Sequence, residues 1–261
     1  MQEGKASGIG YITGRWPLDP EKPTLVFIHG AGSTGYFWRP QFEVLAERAN
    51  FIAVDLPGHG RSEGSGVNTV REHANAVDRL VDDIEAPKPI LCGFSLGGAI
   101  TLQLLIDYPG KYLAGILLGT GIQMKVGPII FETIEKDYAE FVDLIVKLAA
   151  SKKTDPALVQ LFRDQMANCL PEVVRDDFEA CDRFDATAGV ASIRAPVLVI
   201  TSEEDILTPP KFGDVLEENI QNTQRIHLMD AGHLMSLEKP DEINEAIRGF
   251  VLSKLDTRYR I

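Results

Sequence analysis

CGFSLGGAI, residues 92–100, places one polar residue, Ser95, between two glycines at the point where one apolar run ends and another begins. The run before it, PILCGF (89–94), has the length and unbroken apolarity of a strand covered on both faces. The stretch after it, 96–107, has helical spacing. A strand that turns this abruptly into a helix brings backbone segments together, so side chains at Gly93 and Gly97 would collide. The serine is forced into a strained conformation with its hydroxyl pointing outward. On either side of this turn lie five more short apolar runs: TLVFI (24–28), FIAVD (51–55), AGILLG (114–119), PVLVI (196–200) and RIHLM (225–229). Segments with helical spacing lie between or after them at 36–49, 69–84 and 239–254. This alternation predicts an α/β fold, a mostly parallel central sheet flanked by helices.

The rhythm breaks at 122–190, where no strand-like run occurs. In IIFETIEKDYAEFVDLIVKLAA (129–150), Ile130, Ile134, Tyr138, Phe141, Ile145 and Leu148 recur every three or four residues, one face of an amphipathic helix. Further helices are expected at 155–169 and 171–182. The chain therefore divides into a first core part (1–121), a helical cap insertion (122–190) and a second core part (191–261). The final residues, DTRYRI, read as a polar tail.

Composition narrows the functional classes. With 261 residues, 44% hydrophobic and 25% charged, the chain has the make-up of a folded soluble protein. Acidic residues outnumber basic ones 38 to 26, a formal charge of −12. Such a surface repels phosphate backbones and anionic lipid, so nucleic acid and membranes are not expected partners. Cys92, Cys169 and Cys181 form neither a metal-ligand spacing nor an even-numbered disulfide framework. Cys92, in an apolar run, reads as a small buried side chain. The amino terminus, MQEGKASGIG, lacks a basic segment followed by an apolar one. No apolar stretch approaches the about 20 residues of a membrane span. A reducing cytoplasm, a small-molecule substrate, and no metal or other cofactor are the expectations.

GFSLG (93–97) matches the Gly-x-Ser-x-Gly pattern that exposes a nucleophilic serine, with the following helix aiming its N–H groups at the hydroxyl. A serine needs a base. Of the five histidines, His233 in DAGHLMSLEKPDEI follows the last strand and emerges at the carboxyl edge of the sheet, as Ser95 does. His227 reads as a structural strand residue and His73 as an exposed helix residue. The base needs an orienting carboxylate, and TSEEDILTPP (201–210), following the strand 196–200, offers Glu203, Glu204 and Asp205.

Five motifs in order, HGAGS (29–33), DLPGHGRS (55–62), GFSLGG (93–98), EEDILTPP (203–210) and AGHLMSLEKP (231–240), make the chain resemble the α/β-hydrolase superfamily over nearly its whole length. The resemblance implies Ser95 as nucleophile and His233 as base. It selects Asp205, followed by two residues and then Thr208–Pro209, as the acid. It implies an oxyanion hole from the N–H groups of Ala31 and Leu96, with Gly30 letting the backbone approach. His29 and the DLPGHGRS loop, His59 included, are then structural. One departure is visible: related loops often carry a glycine three residues before the acid, where this chain has Ser202.

The expected chemistry is acyl transfer: a serine hydrolase cleaving a small, largely apolar carboxylic ester. Hydrolysis of a carbon–carbon bond, thioester or lactone, or perhydrolysis, would use the same triad. A lipase acting on large insoluble substrates and a non-catalytic ligand-binding receptor are the remaining alternatives. Dehalogenase and epoxide hydrolase relatives place an aspartate where Ser95 stands. The insertion carries 8 basic and 13 acidic residues, a net −5, and so presents no positive field to an anionic substrate.

Overall fold

Successive apolar residues in a strand require cover on both faces of the sheet, and that cover is what the chain builds. The structure is a computed structural model describing residues 1–46 and 48–256. Its strands are β1 (Gln2–Ala6), β2 (Ile9–Thr13), β3 (Thr24–Ile28), β4 (Asn50–Val54), β5 (Pro89–Phe94), β6 (Ala114–Leu118), β7 (Val197–Ser202) and β8 (Thr223–Leu228). They form one eight-stranded sheet in the order β1-β2-β4-β3-β5-β6-β7-β8. The pairs β1–β2 and β2–β4 are antiparallel and all later pairs are parallel. The period of two divides the core. Leu25 and Phe27 join one apolar cluster with Trp38, Phe51 and Phe250, while Val26 and Ile28 join the other with Leu80, Leu96 and Ile100. Cys92 is fully buried in β5, and burial pushes its thiol well above the ordinary range.

The helices are α1 (Arg39–Leu45), α2 (Val70–Asp83), α3 (Leu96–Asp107), α4 (Pro128–Lys136), α5 (Tyr138–Ala149), α6 (Pro156–Ala167), α7 (Pro171–Arg183), α8 (Lys211–Asn219), α9 (Met235–Glu238) and α10 (Pro240–Asp256). Among the described residues, no helix is long and apolar enough to cross a membrane.

Three features depart from the expected pattern. First, β1 and β2 were not legible as strands, because Gly4, Gly8 and Gly10 dilute a short apolar signal. They form a hairpin around Ser7 and Gly8, whose φ values of 49° and 76° suit a tight two-residue turn. Second, the helix expected over 36–49 is a 3-10 turn (Gly35–Trp38) followed by α1, with Pro40 near its start, where a missing N–H costs nothing. Third, the single helix expected over 129–150 is two. Asp137 adopts extended backbone (φ −157°, ψ 102°) and its carboxylate accepts the Glu140 N–H (3.1 Å), capping α5. The apolar spacing runs across the break because Ile130 and Ile134 of α4 and Phe141 and Ile145 of α5 pack into one cluster. Of DTRYRI, residues 257–261 lie outside the described residues.

Helices α4–α7 occupy the chain between β6 and β7. The segment leaves and rejoins the sheet at one place: the Ala186 N–H donates to the Ile122 carbonyl (2.8 Å) and the Gln123 amide to Asp185 (2.7 Å).

Replacing Asp137 by alanine removes the acceptor that starts α5. Urea denaturation should show a loss of about 1 kcal/mol, and an unchanged midpoint would mean that the cap contributes nothing.

Candidate active site

Parallel strands deliver their carboxyl ends to one edge, so loops far apart in sequence meet there. Ser95 sits between β5 and α3 with φ 54° and ψ −116°, a conformation costly for any residue with a Cβ. It is held there by its own N–H donating to the Leu118 carbonyl (2.9 Å) and by its carbonyl accepting the Gly98 N–H (2.9 Å). The flanking glycines have the steric reason the sequence suggested. A Cβ on Gly93 would lie 2.0 Å from the Gly97 carbonyl oxygen, and one on Gly97 would lie 2.1 Å from the Ile28 oxygen.

His233 lies in the loop between β8 and α9. Its N–H donates to the Ala149 carbonyl (2.8 Å), and the neighbouring Gly232 N–H donates to Glu238 (2.6 Å). Its imidazole Nδ1 is 2.8 Å from Asp205 Oδ2 and its ring centroid 4.7 Å from that of Phe94. A carboxylate at Nδ1 sets the tautomer in which Nδ1 carries the proton and Nε2 is free to accept. Asp205, 2% exposed, also accepts the N–H groups of Leu207 (3.0 Å) and Thr208 (2.8 Å) and the Thr208 hydroxyl (2.7 Å). Burial works to raise its pKa, but His233 and the Thr208 bonds outweigh this and hold the carboxyl below its ordinary value.

The other two acids face elsewhere: Glu203 accepts the Asp230 N–H (3.3 Å) and Glu204 the Lys152 N–H (3.1 Å). Ser202, at the position of the visible departure, donates its hydroxyl to the Gly232 carbonyl (2.6 Å) and so ties the acid's strand to the histidine's loop. Neither Ser202 nor Thr208 was singled out for such a contact beforehand. Glu238 was missed altogether, since a glutamate in a polar run carries no signal of the loop it clamps.

Ala31, Ser95 and His233 line one cavity of about 130 Å³. The first residue of α3, Leu96, adjoins Ser95, and its N–H has no intrahelical partner. Among the described residues neither the Ala31 nor the Leu96 N–H has a protein acceptor. A Cβ on Gly30 would come within 3.1 Å of Ser95 Cβ, which is how closely that loop approaches the serine. The remaining walls are mostly apolar and come largely from the inserted helices: Met124, Ile130, Ile145, Phe162, Met166 and Phe178. Lys125 also lines the cavity, but its ammonium donates to the Asp182 carbonyl (2.6 Å). Cys181 lines it too, and burial pushes its thiol far up, leaving it protonated and unreactive.

His29 bonds the Gly30 carbonyl through Nδ1 (2.8 Å) and accepts the Leu56 N–H at Nε2 (3.0 Å), bracing the loop after β3. His227, exposed on β8, contacts the Thr201 hydroxyl (3.0 Å). His73 is fully buried, not exposed as its polarity suggested, because it shares an α2 face with Val70 and Val77. His59 is buried against Asp177 of α7, 3.0 Å away. Among the described residues no cluster of three His, Cys, Asp or Glu side chains is disposed to hold a metal ion.

A lowered folded-state aspartate pKa contributes stability that is complete above the unfolded value, about 3.9, and lost as pH falls through the folded one. Urea titrations should therefore show a stability gap between wild type and Asp205→Asn that is widest near neutral pH and narrows below about pH 4. A gap independent of pH would refute this account of the Asp205 environment.

A model described as "Alpha/beta hydrolase family" matches residues 25–246. A pimeloyl-[acyl-carrier protein] methyl ester esterase from Nitrosomonas europaea is 23% identical, over 84% of this chain and 92% of its own length. The 3-oxoadipate enol-lactonase 1 of Acinetobacter baylyi is 26% identical, over 88% of this chain and 89% of its own. A solved thermophilic esterase superposes with a TM-score of 0.84 at 30% identity, covering 97% of both chains.

Proposed function

The chain belongs to the alpha/beta hydrolase family and is a hydrolase, and from that premise we propose that it cleaves small, largely apolar carboxylic esters through a serine-bound acyl intermediate. The observation that carries the reading is the buried Asp205–His233 contact of 2.8 Å, with His233 lining the same apolar cavity as the strained Ser95. In the proposed reaction Ser95 Oγ attacks the carbonyl carbon while His233 Nε2 takes its proton. Asp205 holds the imidazole tautomer and stabilises the imidazolium. The Ala31 and Leu96 N–H groups receive the oxyanion, one such donor being worth roughly 10²–10³ in rate. His233 returns the proton to the departing alcohol, then activates a water that releases the acid. No metal or organic cofactor is required.

We take the 122–190 segment to be a cap that walls the acyl site. A cavity of about 130 Å³ is close to what accommodates a benzene-sized group. Its apolar walls and the engaged Lys125 favour a short uncharged acyl group over an anionic one. A small molecule is the proposed partner. The proposed setting is the reducing cytoplasm, which three free cysteines suit.

A second reading, lactone hydrolysis by the same groups, is favoured by the likeness to the enol-lactonase. It needs no change of catalytic residue, because a lactone is an internal ester.

Hydrolysis of p-nitrophenyl esters from acetate to laurate tests the proposal. Acetate to hexanoate should be turned over, laurate at least tenfold less efficiently. Ser95→Ala and Asp205→Asn should each lose roughly 10³-fold or more of kcat. Turnover that survives Ser95→Ala would remove the acyl-enzyme reading, and hydrolysis of simple lactones but not of esters would favour the second.

A further inference from the structure

Asp177, on α7, is a fully buried carboxylate that does not line the substrate cavity and has no part in the chemistry above. It meets three separate segments of the core. Its Oδ2 accepts the Gly32 N–H (2.9 Å), in the loop after β3, and lies 3.0 Å from His59 Nε2, in the loop after β4. Its Oδ1 lies 3.5 Å from His73 Nε2 on α2. A charge so deeply buried is costly unless paired and hydrogen-bonded.

The partner's protonation follows from the groups on either side of its ring. His59 Nδ1 faces the Pro57 carbonyl (3.0 Å), an acceptor only, so Nδ1 carries a proton. Nε2 then lies 3.0 Å from the Asp177 carboxylate in a close charge contact, not an aligned hydrogen bond, and a neutral ring would leave that buried carboxylate's charge uncompensated on this side. The arrangement is favourable only when Nε2 is protonated as well. Burial works to lower the His59 pKa, but the Asp177 charge outweighs it and raises it. His29, with its ring centroid 5.1 Å from that of His59, is pushed down to about 3 by its burial and by its neighbour's charge, and stays neutral.

The bond to Gly32 gives this pair a consequence beyond stability. That N–H belongs to the Ala31–Gly32 peptide, adjoining the peptide that carries the Ala31 N–H. Gly32 has φ +63°, a value glycine adopts about as readily as a negative one, so sterics alone do not select this orientation of its peptides. Met166 and Val174 of α6 and α7 stand where a side chain on Gly32 would point, 3.1 and 3.4 Å from the position of its Cβ, but apolar neighbours are not directional, whereas a hydrogen bond to a carboxylate is. We propose that Asp177 is a positioning residue: through its buried contacts with His59 and Gly32 it orients the loop whose Ala31 N–H receives the oxyanion. The inserted helices thereby act on the reacting centre as well as on the shape of the cavity. The proposal rests on the acyl-transfer reading.

The test compares Asp177→Asn with the double variant Asp177→Ala/His59→Leu, which removes both charges at similar total volume. Both are measured beside wild type and Ser95→Ala, by p-nitrophenyl acetate kinetics, the rate of Ser95 labelling by a fluorophosphonate, and thermal melting. Asp177→Asn should lower kcat at least tenfold with KM changed less than threefold, and slow labelling by a similar factor. The double variant, free of an unpaired buried charge, should recover the melting temperature while kcat stays at least tenfold low. If kcat returned with the melting temperature, the pair would only hold the fold and the proposal would be overturned. Wild-type kcat in Asp177→Asn beside an inactive Ser95→Ala would overturn it alone. Absence of Ser95-dependent turnover and labelling in wild type would overturn the acyl-transfer reading and this proposal with it.

Discussion

Where β5 turns into α3, backbone lies against backbone with no room for a methyl group. A Cβ on Gly97 would sit 2.1 Å from the Ile28 oxygen at the end of β3, and one on Gly93 would sit 2.0 Å from the Gly97 oxygen. This crossing is the constraint from which the site follows. It leaves Ser95 no choice but a positive φ, at a cost of order 1–3 kcal/mol that the surrounding sheet must offset. Because Gly30 follows β3 by two residues, the same crossing also sets how closely the loop carrying Ala31 approaches the serine.

Around that rigid turn, the groups that must be oriented are held by polar contacts between loops. Asp205 is gripped by two N–H groups and a hydroxyl before it meets His233. The histidine loop is fastened from outside the sheet, by the Ala149 carbonyl at the end of α5 and by Glu238, which also accepts the Ser151 N–H (2.8 Å). Asp177 grips the opposite loops from α7. The inserted helices are thus joined to the core on two sides of the cavity they wall, by directional bonds on both.

Most of the sheet was legible because strands covered on both faces must be apolar at every position, and few other segments meet that demand. The β1–β2 hairpin escaped because β1 is half in water and both strands are interrupted by glycine. The α4–α5 break was written in the sequence as an aspartate three residues ahead of a glutamate, Asp137 and Glu140, but the apolar spacing overrode it. The burial of His73 was written too, in its spacing from Val70 and Val77, and was outweighed by its polarity.

By itself, the sequence determined what depends on short-range sterics and chain order: the glycine-flanked turn at Ser95, the strands delivering loops to one edge, and Ser95, Asp205 and His233 as candidates in that order. Only the tertiary structure decided which side chains meet across long separations. Gly32 and Asp177 are 145 residues apart, and nothing local marks Asp177 among the insertion's thirteen acidic residues. The choice of Asp205 over its two neighbours as the carboxylate at His233 rested on a motif until the loop geometry turned Glu203 and Glu204 away. The reason is physical: strand and turn preferences act over a few residues, whereas a buried charge is tolerated only where folding has already brought its partners.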